Sequence, residues 1–312
     1  MMLARFQHHK SSTPQHRTTK TMKRKIKGSV VLITGASRGI GRAIALAFAR
    51  EGAKLVLAAR SMDALRQVEG EVAAQGAEVI AVSCDVTDAA AVALLVESAT
   101  ARFGRIDVLV NNAGIGRVSA VNEPAFLGDV RDTLKASLFG MIQMTQAVLP
   151  LFRAQGSGAI VNMSSVMGRK AFARFGSYAI VMHAVSALSD ALRQECAGQD
   201  ITVSVIHPAL TATDLLRKVN EADMPPPFRH MTPLSPDDIG RATVSAVARG
   251  TQRVVLPRMA NMLLLGEALS PRMGDLIAYA LTVKPIAWAL GMSSGRTYHQ
   301  VIGVVSQEAS TR

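Results

Sequence analysis

The residues whose types and spacing point most clearly to a chemical role form a glycine-rich turn, TGASRGIG, at residues 34–41. An apolar run precedes this turn and an amphipathic segment follows it, which predicts a strand, a turn and a helix in that order. Gly35, Gly39 and Gly41 leave room where the backbone turns sharply and where a pyrophosphate comes close. The first N–H groups of the following helix attract anions. The stretch therefore predicts a docking site for an anionic dinucleotide, although three glycines in a turn often make only a turn.

The elements that must position this turn are short apolar runs alternating with helix-like stretches. The predicted strands are 30–33, 54–59, 78–83, 106–110, 158–163, 201–206 and 253–256, and the predicted helices include 42–51, 88–103, 131–152, 178–197 and 236–249. Such alternation is typical of a parallel sheet covered by helices on both faces. The predicted fold class is α/β, a Rossmann-like doubly wound parallel sheet in a single domain with an apolar C-terminal extension.

Two segments interrupt the alternation. Residues 209–234 contain a proline-rich run after the carboxyl end of a strand, where ligands bind in open α/β sheets. We interpret this segment as a flap over an active-site cleft, with a plain surface loop as the alternative. Residues 259–290 are mostly apolar, but interspersed charges leave no uncharged stretch long enough for a transmembrane span. We expect them to pack on the domain; covering the cleft, a subunit contact or peripheral contact with a membrane surface are the alternatives.

The charge of the chain is concentrated at its N-terminus. The net charge is +12, and residues 1–27 hold eight Lys or Arg and no Asp or Glu. Residues 1–25 are predicted to form a disordered basic leader, followed by the Rossmann-like domain at 26–256 and the C-terminal extension at 257–312. The leader is compatible with a transit peptide or a nucleic-acid-binding arm. An over-long reading frame or a passive leader that ends near Met22 is the interpretation we favour, so nucleic acid is not an expected partner.

The cysteines and the remaining composition exclude several classes of protein. Cys84 and Cys196 have neither zinc-ligand spacing nor the pattern of a disulfide framework, which favours a reducing compartment. We therefore predict a cytoplasmic protein without a metal site.

Four motifs in order along the chain resemble those of the short-chain dehydrogenase/reductases, in the standard single-domain branch. TGASRGIG is similar to the family's cofactor loop, NNAG at 111–114 to its motif after the fourth strand, and Ser165 followed by Tyr178 to its catalytic pair. The resemblance covers about residues 26–256. It implies hydride transfer between a nicotinamide ring and a carbonyl or alcohol carbon, with Tyr178 exchanging the proton and Ser165 holding the substrate oxygen. We also expect a homo-oligomer and a small lipophilic alcohol or carbonyl substrate.

Two positions depart from the family's catalytic tetrad. Met182 stands where the family has the lysine of Tyr-x-x-x-Lys, and Ser137 where it has an asparagine that helps to organise a relay water. A lysine at i+4 shares the helix face of the tyrosine and lowers its pKa by its charge. Moving a tyrosine from pKa 10 to about 7 takes about 4 kcal/mol, which methionine does not supply. Impaired turnover is expected, and the alternative is a cofactor-binding pseudoenzyme that acts as a scaffold or regulatory partner.

The choice of cofactor depends on two arginines. Ala59 lies where NAD-preferring relatives place an acidic residue, while Arg60 follows it and Arg38 lies in the glycine loop. Two guanidinium groups suit a 2′-phosphate, so NADP(H) is favoured over NAD(H), with two solvated surface arginines as the alternative. The full set of cofactor-binding residues implied by the resemblance is Gly35, Ser37, Arg38, Gly39, Ile40, Gly41, Arg60, Ser61, Asp85, Val86, Asn112, Ala113, Gly114, Pro208, Thr211 and Thr213.

Overall fold

The computed structural model describes residues 23–213, 219, 223–225, 228, 231–283 and 285. These residues contain a parallel sheet of seven strands in the order β3-β2-β1-β4-β5-β6-β7. The strands are β1 (Val30–Thr34), β2 (Lys54–Ala59), β3 (Val79–Ser83), β4 (Val108–Asn111), β5 (Ser157–Met163), β6 (Asp200–Pro208) and β7 (Arg253–Leu256). The predicted doubly wound α/β class is confirmed. The strand order reverses between β1 and β4, which opens a crevice at their carboxyl ends.

Helices cover both faces of the sheet. They are α1 (Gly39–Arg50), α2 (Met62–Ala73), α3 (Ala89–Phe103), α4 (Phe126–Thr133), α5 (Gly140–Gln155), α6 (Gly176–Glu195), α7 (Pro236–Arg249), α8 (Ala260–Leu269) and α9 (Pro271–Ala280). Their ends follow local chemistry. Asp88 accepts a hydrogen bond from the Ala90 N–H at 2.9 Å at the start of α3, and Ser235 does the same for Asp237 at the start of α7.

The two faces of each strand supply two separate cores. On β1, Val31 and Ile33 pack with α1, α2 and α7, while Val30 and Leu32 pack with α3, α5 and α6. Successive strand residues point to opposite faces, so a strand buried on both sides is apolar throughout. This explains the unbroken apolar runs in the sequence.

The helix predicted at 131–152 differs from the structure. Helix α4 begins at Phe126, a π-helical turn spans Leu134–Phe139, and α5 continues to Gln155. The π-turn brings Gly140 so close to Val86 that a Cβ atom there would overlap the valine side chain. The spacing of apolar residues along the sequence does not reveal a contact between residues as far apart as Val86 and Gly140. Single-turn π-helical insertions are frequent at functional sites.

Twelve of the 26 residues of the predicted flap lie outside the described residues. So do residues 1–22, 284 and 286–312 of the terminal segments. The two ends of the segment predicted to form the flap lie side by side, because Thr211 forms a β-bridge with Leu234. Near the N-terminus, the Arg24 guanidinium donates to the Gly158 carbonyl at 2.8 Å. Among the helices that the structure describes, none is long and apolar enough to cross a membrane.

Candidate active site

The glycine loop connects β1 to α1 and is shaped to admit a phosphate group. Gly35 and Gly39 have φ angles of 64° and 55°, in the left-handed region that favours glycine. A Cβ atom on Gly41 would overlap the Gly35 carbonyl oxygen. Helix α1 begins at Gly39 without a capping side chain and without an acidic residue in its first turn. Its first N–H groups and its positive dipole end therefore fit the pyrophosphate of a dinucleotide.

Asn112 supports the loop from the adjacent strand. Its side-chain amide donates to the carbonyl oxygens of Thr34 and Gly35, both at 3.1 Å, and the Thr34 hydroxyl accepts from the N–H groups of Asn112 and Ala113. These bonds fix the end of β4 against the end of β1. Asn112 thus stabilises the conformation of the glycine loop. The cofactor contacts predicted for Asn112, Ala113 and Gly114 stay predictions.

The residues predicted to bind the adenosine half lie at the ends of β2 and β3. Arg60 and Ser61 are exposed, and the Ser61 hydroxyl caps α2 by accepting from Ala64. The Thr87 N–H donates to Asp85 at 2.9 Å, and this bond, with the charges of Arg60 and Lys135, holds the pKa of Asp85 below its usual range. Arg60 therefore has an acidic neighbour, which the sequence did not indicate.

Ser165 and Tyr178 come together although different elements carry them. Ser165 follows β5 and begins a 3-10 turn, with its hydroxyl accepting from the Met167 N–H at 3.1 Å. Tyr178 lies in the first turn of α6 and is half-buried. Burial has the larger effect on the pKa of Tyr178 and raises it, while Ser165 lies near enough to the phenol to lower that pKa. The predicted catalytic pair is thus assembled.

A mainly apolar cavity surrounds this pair and reaches the glycine loop. Besides Ser165 and Tyr178, its lining includes the predicted cofactor residues Ile40, Pro208, Thr211 and Thr213. Thr213 approaches Gly39, because a Cβ atom on that glycine would be 3.5 Å from the threonine methyl. The cavity therefore extends from Ser165 and Tyr178 to residues predicted to bind the cofactor.

Sequence reasoning missed most of the cavity wall. The wall includes Arg117, Val118, Phe175, Leu210, Val219 and Phe228. Phe228 comes from the proline-rich segment that was predicted to cover a cleft, and its ring packs edge-on against Phe172 at 4.8 Å between centroids. The segment after NNAG carries no comparable signal, so Arg117 and Val118 had nothing to distinguish them.

A family model described as short chain dehydrogenase matches residues 29–224. The chain belongs to the short-chain dehydrogenase family. The match covers the glycine loop, the NNAG motif and the Ser165–Tyr178 pair, and it ends inside the proline-rich segment.

Among curated relatives of this short-chain dehydrogenase, ketoacyl reductase HetN of Nostoc sp. is 33% identical, with 73% of this chain and 78% of HetN covered. Glycine betaine reductase ATRR of Emericella nidulans is 35% identical over 71% of this chain, but the match spans only 18% of that longer protein.

Two solved structures with a similar fold contain different bound nicotinamide nucleotides. A short-chain dehydrogenase/reductase from Burkholderia phymatum in complex with NAD has a TM-score of 0.70 and 27% identity, covering 79% of this chain and 95% of its own. An alcohol dehydrogenase from the archaeon Thermococcus sibiricus complexed with 5-hydroxy-NADP has a TM-score of 0.65 and 28% identity, covering 74% and 96%.

At the lysine position of this short-chain dehydrogenase, Met182 is buried among apolar side chains. Its neighbours are Met141, Val181 and Val185, with Tyr178 packed against the same cluster. Burial raises the pKa of Tyr178, and the nearby Ser165 side chain offsets only part of this effect. Among the residues that the structure describes, no cation lowers that pKa, so Tyr178 is protonated at neutral pH.

Ser137, at the other position predicted to depart from the family's tetrad, forms hydrogen bonds with the backbone. Its hydroxyl accepts from the Ile115 N–H at 3.1 Å and donates to the Ile115 carbonyl at 3.4 Å. Gly114 makes room for this contact, since a Cβ atom there would lie 2.8 Å from the hydroxyl. Ser137 therefore fixes the loop after β4, and a part in a proton relay stays a prediction.

His207 is a residue near the site that sequence reasoning passed over. It is fully buried at the end of β6, and its Nδ1 lies 2.9 Å from the Ser165 carbonyl oxygen. Burial lowers the pKa of His207 to about 4, so the ring is neutral and Nδ1–H donates to Ser165. Within the described part of the chain, Nε2 has no hydrogen-bond partner. His207 therefore fixes the position of the Ser165 backbone through this hydrogen bond from the end of β6.

Proposed function

We propose that this short-chain dehydrogenase reduces a lipophilic carbonyl compound to an alcohol, with NADPH as the hydride source. The observation that carries the proposal is that Ser165 and Tyr178 line one mainly apolar cavity, with Tyr178 kept protonated by burial beside Met182. A protonated tyrosine can donate to the oxygen that gains charge during reduction. Oxidation needs the phenolate instead, which this environment disfavours.

The residues of the loop fit the cofactor that this reaction needs. Gly35, Gly39 and Gly41 form a cradle that side chains would fill, at the uncapped start of α1. When bound, a reduced nicotinamide supplies the hydride. Neighbouring structures hold NAD in one case and 5-hydroxy-NADP in another, so the preference for NADPH rests on Arg38 and Arg60 of this chain.

The cavity favours an uncharged, apolar substrate. Phe175, Leu210 and Phe228 contribute apolar surface. Arg117 is the one charged side chain among its described lining residues, and Asp132 pairs with it at 3.4 Å. In the proposed reaction Ser165 donates to the carbonyl oxygen, and Tyr178 then transfers its proton to that oxygen.

We expect the full chain to oxidise NADPH in the presence of at least one member of a panel of aliphatic, aromatic and cyclic ketones at neutral pH. Tyr178→Phe removes the proton donor and should lower the rate by about 100-fold or more. Tyr279→Phe is the matched control, because this exposed tyrosine lies outside the cavity. A faster reaction with alcohols than with ketones at pH 7 would contradict the proposed direction.

NADPH should bind at least about tenfold more tightly than NADH, a difference of about 1.4 kcal/mol. The exposed guanidinium groups of Arg38 and Arg60 lie at the starts of α1 and α2, where they can meet a 2′-phosphate. Isothermal titration with both nucleotides measures the ratio. The double variant Arg38→Ala with Arg60→Ala should bind both equally, whereas Arg50→Ala at the far end of α1 should keep the preference. Equal affinities in the unaltered chain would count against NADPH.

The second candidate is a cofactor-binding scaffold without turnover. It is favoured by the two altered tetrad positions, Met182 and Ser137, whose side chains are committed to apolar packing and to backbone contacts. Tight NADPH binding without reduction of any ketone, in both the unaltered chain and Met182→Lys, would support this candidate.

A further inference from the structure

Helices α8 and α9 form a hairpin that lies beyond the stretch matched by the family model. The two helices join at Ser270 and pack tightly, because Gly266 leaves room for Ile277 and Gly274 leaves room for Glu267. The inner sides of both helices bury small or apolar residues, namely Ala260, Leu263, Gly266, Gly274 and Ala278. The hairpin is therefore a packed part of the structure with a distinct outer side.

A buried cation fixes the hairpin beside the candidate active site. The Lys170 ammonium lies 2.8 Å from Glu267 and 2.6 Å from Asp275, and its side chain is 7% exposed. Lys170 stands on the loop between Ser165 and Tyr178. Both acidic residues of the described hairpin are thus ion-paired with Lys170, Glu267 with a side chain that is 23% exposed and Asp275 with one that is 73% exposed.

The outer side of the hairpin is apolar. Of the twelve large apolar side chains that are exposed in the described residues, seven lie here: Met262, Leu265, Leu269, Met273, Leu276, Tyr279 and Val283. On α8 they recur at spacings of three and four residues, and Met273, Leu276 and Tyr279 recur every three residues along α9, with Val283 just beyond its end. This spacing places each set on one helix face, opposite the buried residues. Isolated exposed apolar residues are ordinary, whereas a cluster of this size marks an interaction surface.

We propose that this face binds the surface of an anionic phospholipid membrane. Arg258, which precedes α8, and Arg272, in the first turn of α9, are both exposed, so cations accompany the apolar face, while both acids of the hairpin are ion-paired with Lys170. Ten-residue helices are about 15 Å long, too short to cross a bilayer but suited to lie in its interface. Tyr279, which is 71% exposed, has the apolar ring and polar tip that favour the headgroup level.

The hairpin also adjoins the cavity. Met259, Ala260 and Leu264 pack into the apolar cluster that contains the cavity residues Val166, Met167, Phe175 and Phe228. A membrane at the outer face would therefore bring the cavity close to a phase that dissolves lipophilic compounds. This link to the substrate rests on the proposed function, whereas lipid binding itself does not.

Flotation of the full chain with vesicles tests the proposal without reference to turnover. We expect binding to vesicles that contain phosphatidylglycerol and weaker binding to pure phosphatidylcholine. Leu265→Glu should lower the partition coefficient at least about tenfold. Leu94→Glu on α3 is the matched control, because Leu94 is 61% and Leu265 62% exposed, and it should bind as the unaltered chain does. Arg258→Gln with Arg272→Gln should reduce the preference for phosphatidylglycerol.

Three results would overturn the proposal. Absence of vesicle binding is the first. The second is that Leu265→Glu and Leu94→Glu lose vesicle binding equally or retain it equally. Binding would then come from another part of the chain, such as the basic leader. The third comes from light scattering without lipid: an oligomer that Leu265→Glu dissociates would assign this face to a second copy of the chain.

Discussion

Met182→Lys is expected to raise the rate of alcohol oxidation near neutral pH by about 10- to 1000-fold. The lysine would stand one helical turn from Tyr178, where its charge stabilises the phenolate. Met182 is 5% exposed among apolar side chains, so a charge introduced there is poorly screened. The gain should be smaller for ketone reduction, because Tyr178 already carries its proton. It should shrink only above about pH 10, because burial raises the pKa of Tyr178 above that ordinary value.

Steady-state oxidation of an alcohol product from the ketone panel, measured across pH, tests this expectation. Met182→Leu controls for the loss of methionine and should change little, while Tyr178→Phe should abolish the rescued activity. Adding Ser137→Asn to Met182→Lys should raise the rate further if the relay position matters. If the unaltered chain already oxidises alcohols at ordinary rates and the lysine adds nothing, the explanation based on the missing charge is wrong.

The stability of the protein should fall by about 3 kcal/mol between about pH 6.5 and pH 4 because of His207 alone. Its pKa is about 4 in the folded chain and 6.5 in the reference state, since burial penalises the imidazolium. The unfolded chain therefore binds more protons in this interval, so the contribution is fully present above pH 6.5 and is lost as the pH falls. Urea unfolding at a series of pH values measures the slope.

His207→Asn should flatten this part of the curve while keeping an amide donor for the Ser165 carbonyl. His183→Asn is the matched control, because it replaces an exposed histidine by the same residue. His207→Leu removes the donor, so it should lower the turnover number through Ser165 while leaving NADPH affinity unaltered. Parallel pH curves for the unaltered chain and His207→Asn would refute the assignment.

Local patterns predicted much of the fold and part of the site. The glycine loop, the apolar strands and the Asp88 cap were predictable because each depends on neighbours within a few residues. The family resemblance added Ser165 and Tyr178, whose approach depends on a shared fold and not on local spacing. The structure then placed both in one cavity.

The contacts that could not be predicted join residues far apart in the chain. Ser137 meets Ile115 over 22 residues, His207 meets Ser165 over 42, and Lys170 meets Asp275 over 105. None of these side chains stands in a periodic pattern that would reveal its partner. A serine, a histidine before a proline and a lysine in a loop have ordinary sequence contexts, and only the packed chain shows that each is buried with a specific partner.

The pairing of Lys170 with Glu267 and Asp275 has a consequence for thermodynamic coupling. It connects the loop between Ser165 and Tyr178 to a hairpin that the matched family region does not include. Coupling between two binding sites is reciprocal. If a membrane or another ligand on the outer face of the hairpin changes the affinity for substrate by some factor, substrate changes the affinity for that ligand by the same factor. If these ion pairs carry such coupling, Lys170→Met should bring that factor close to one.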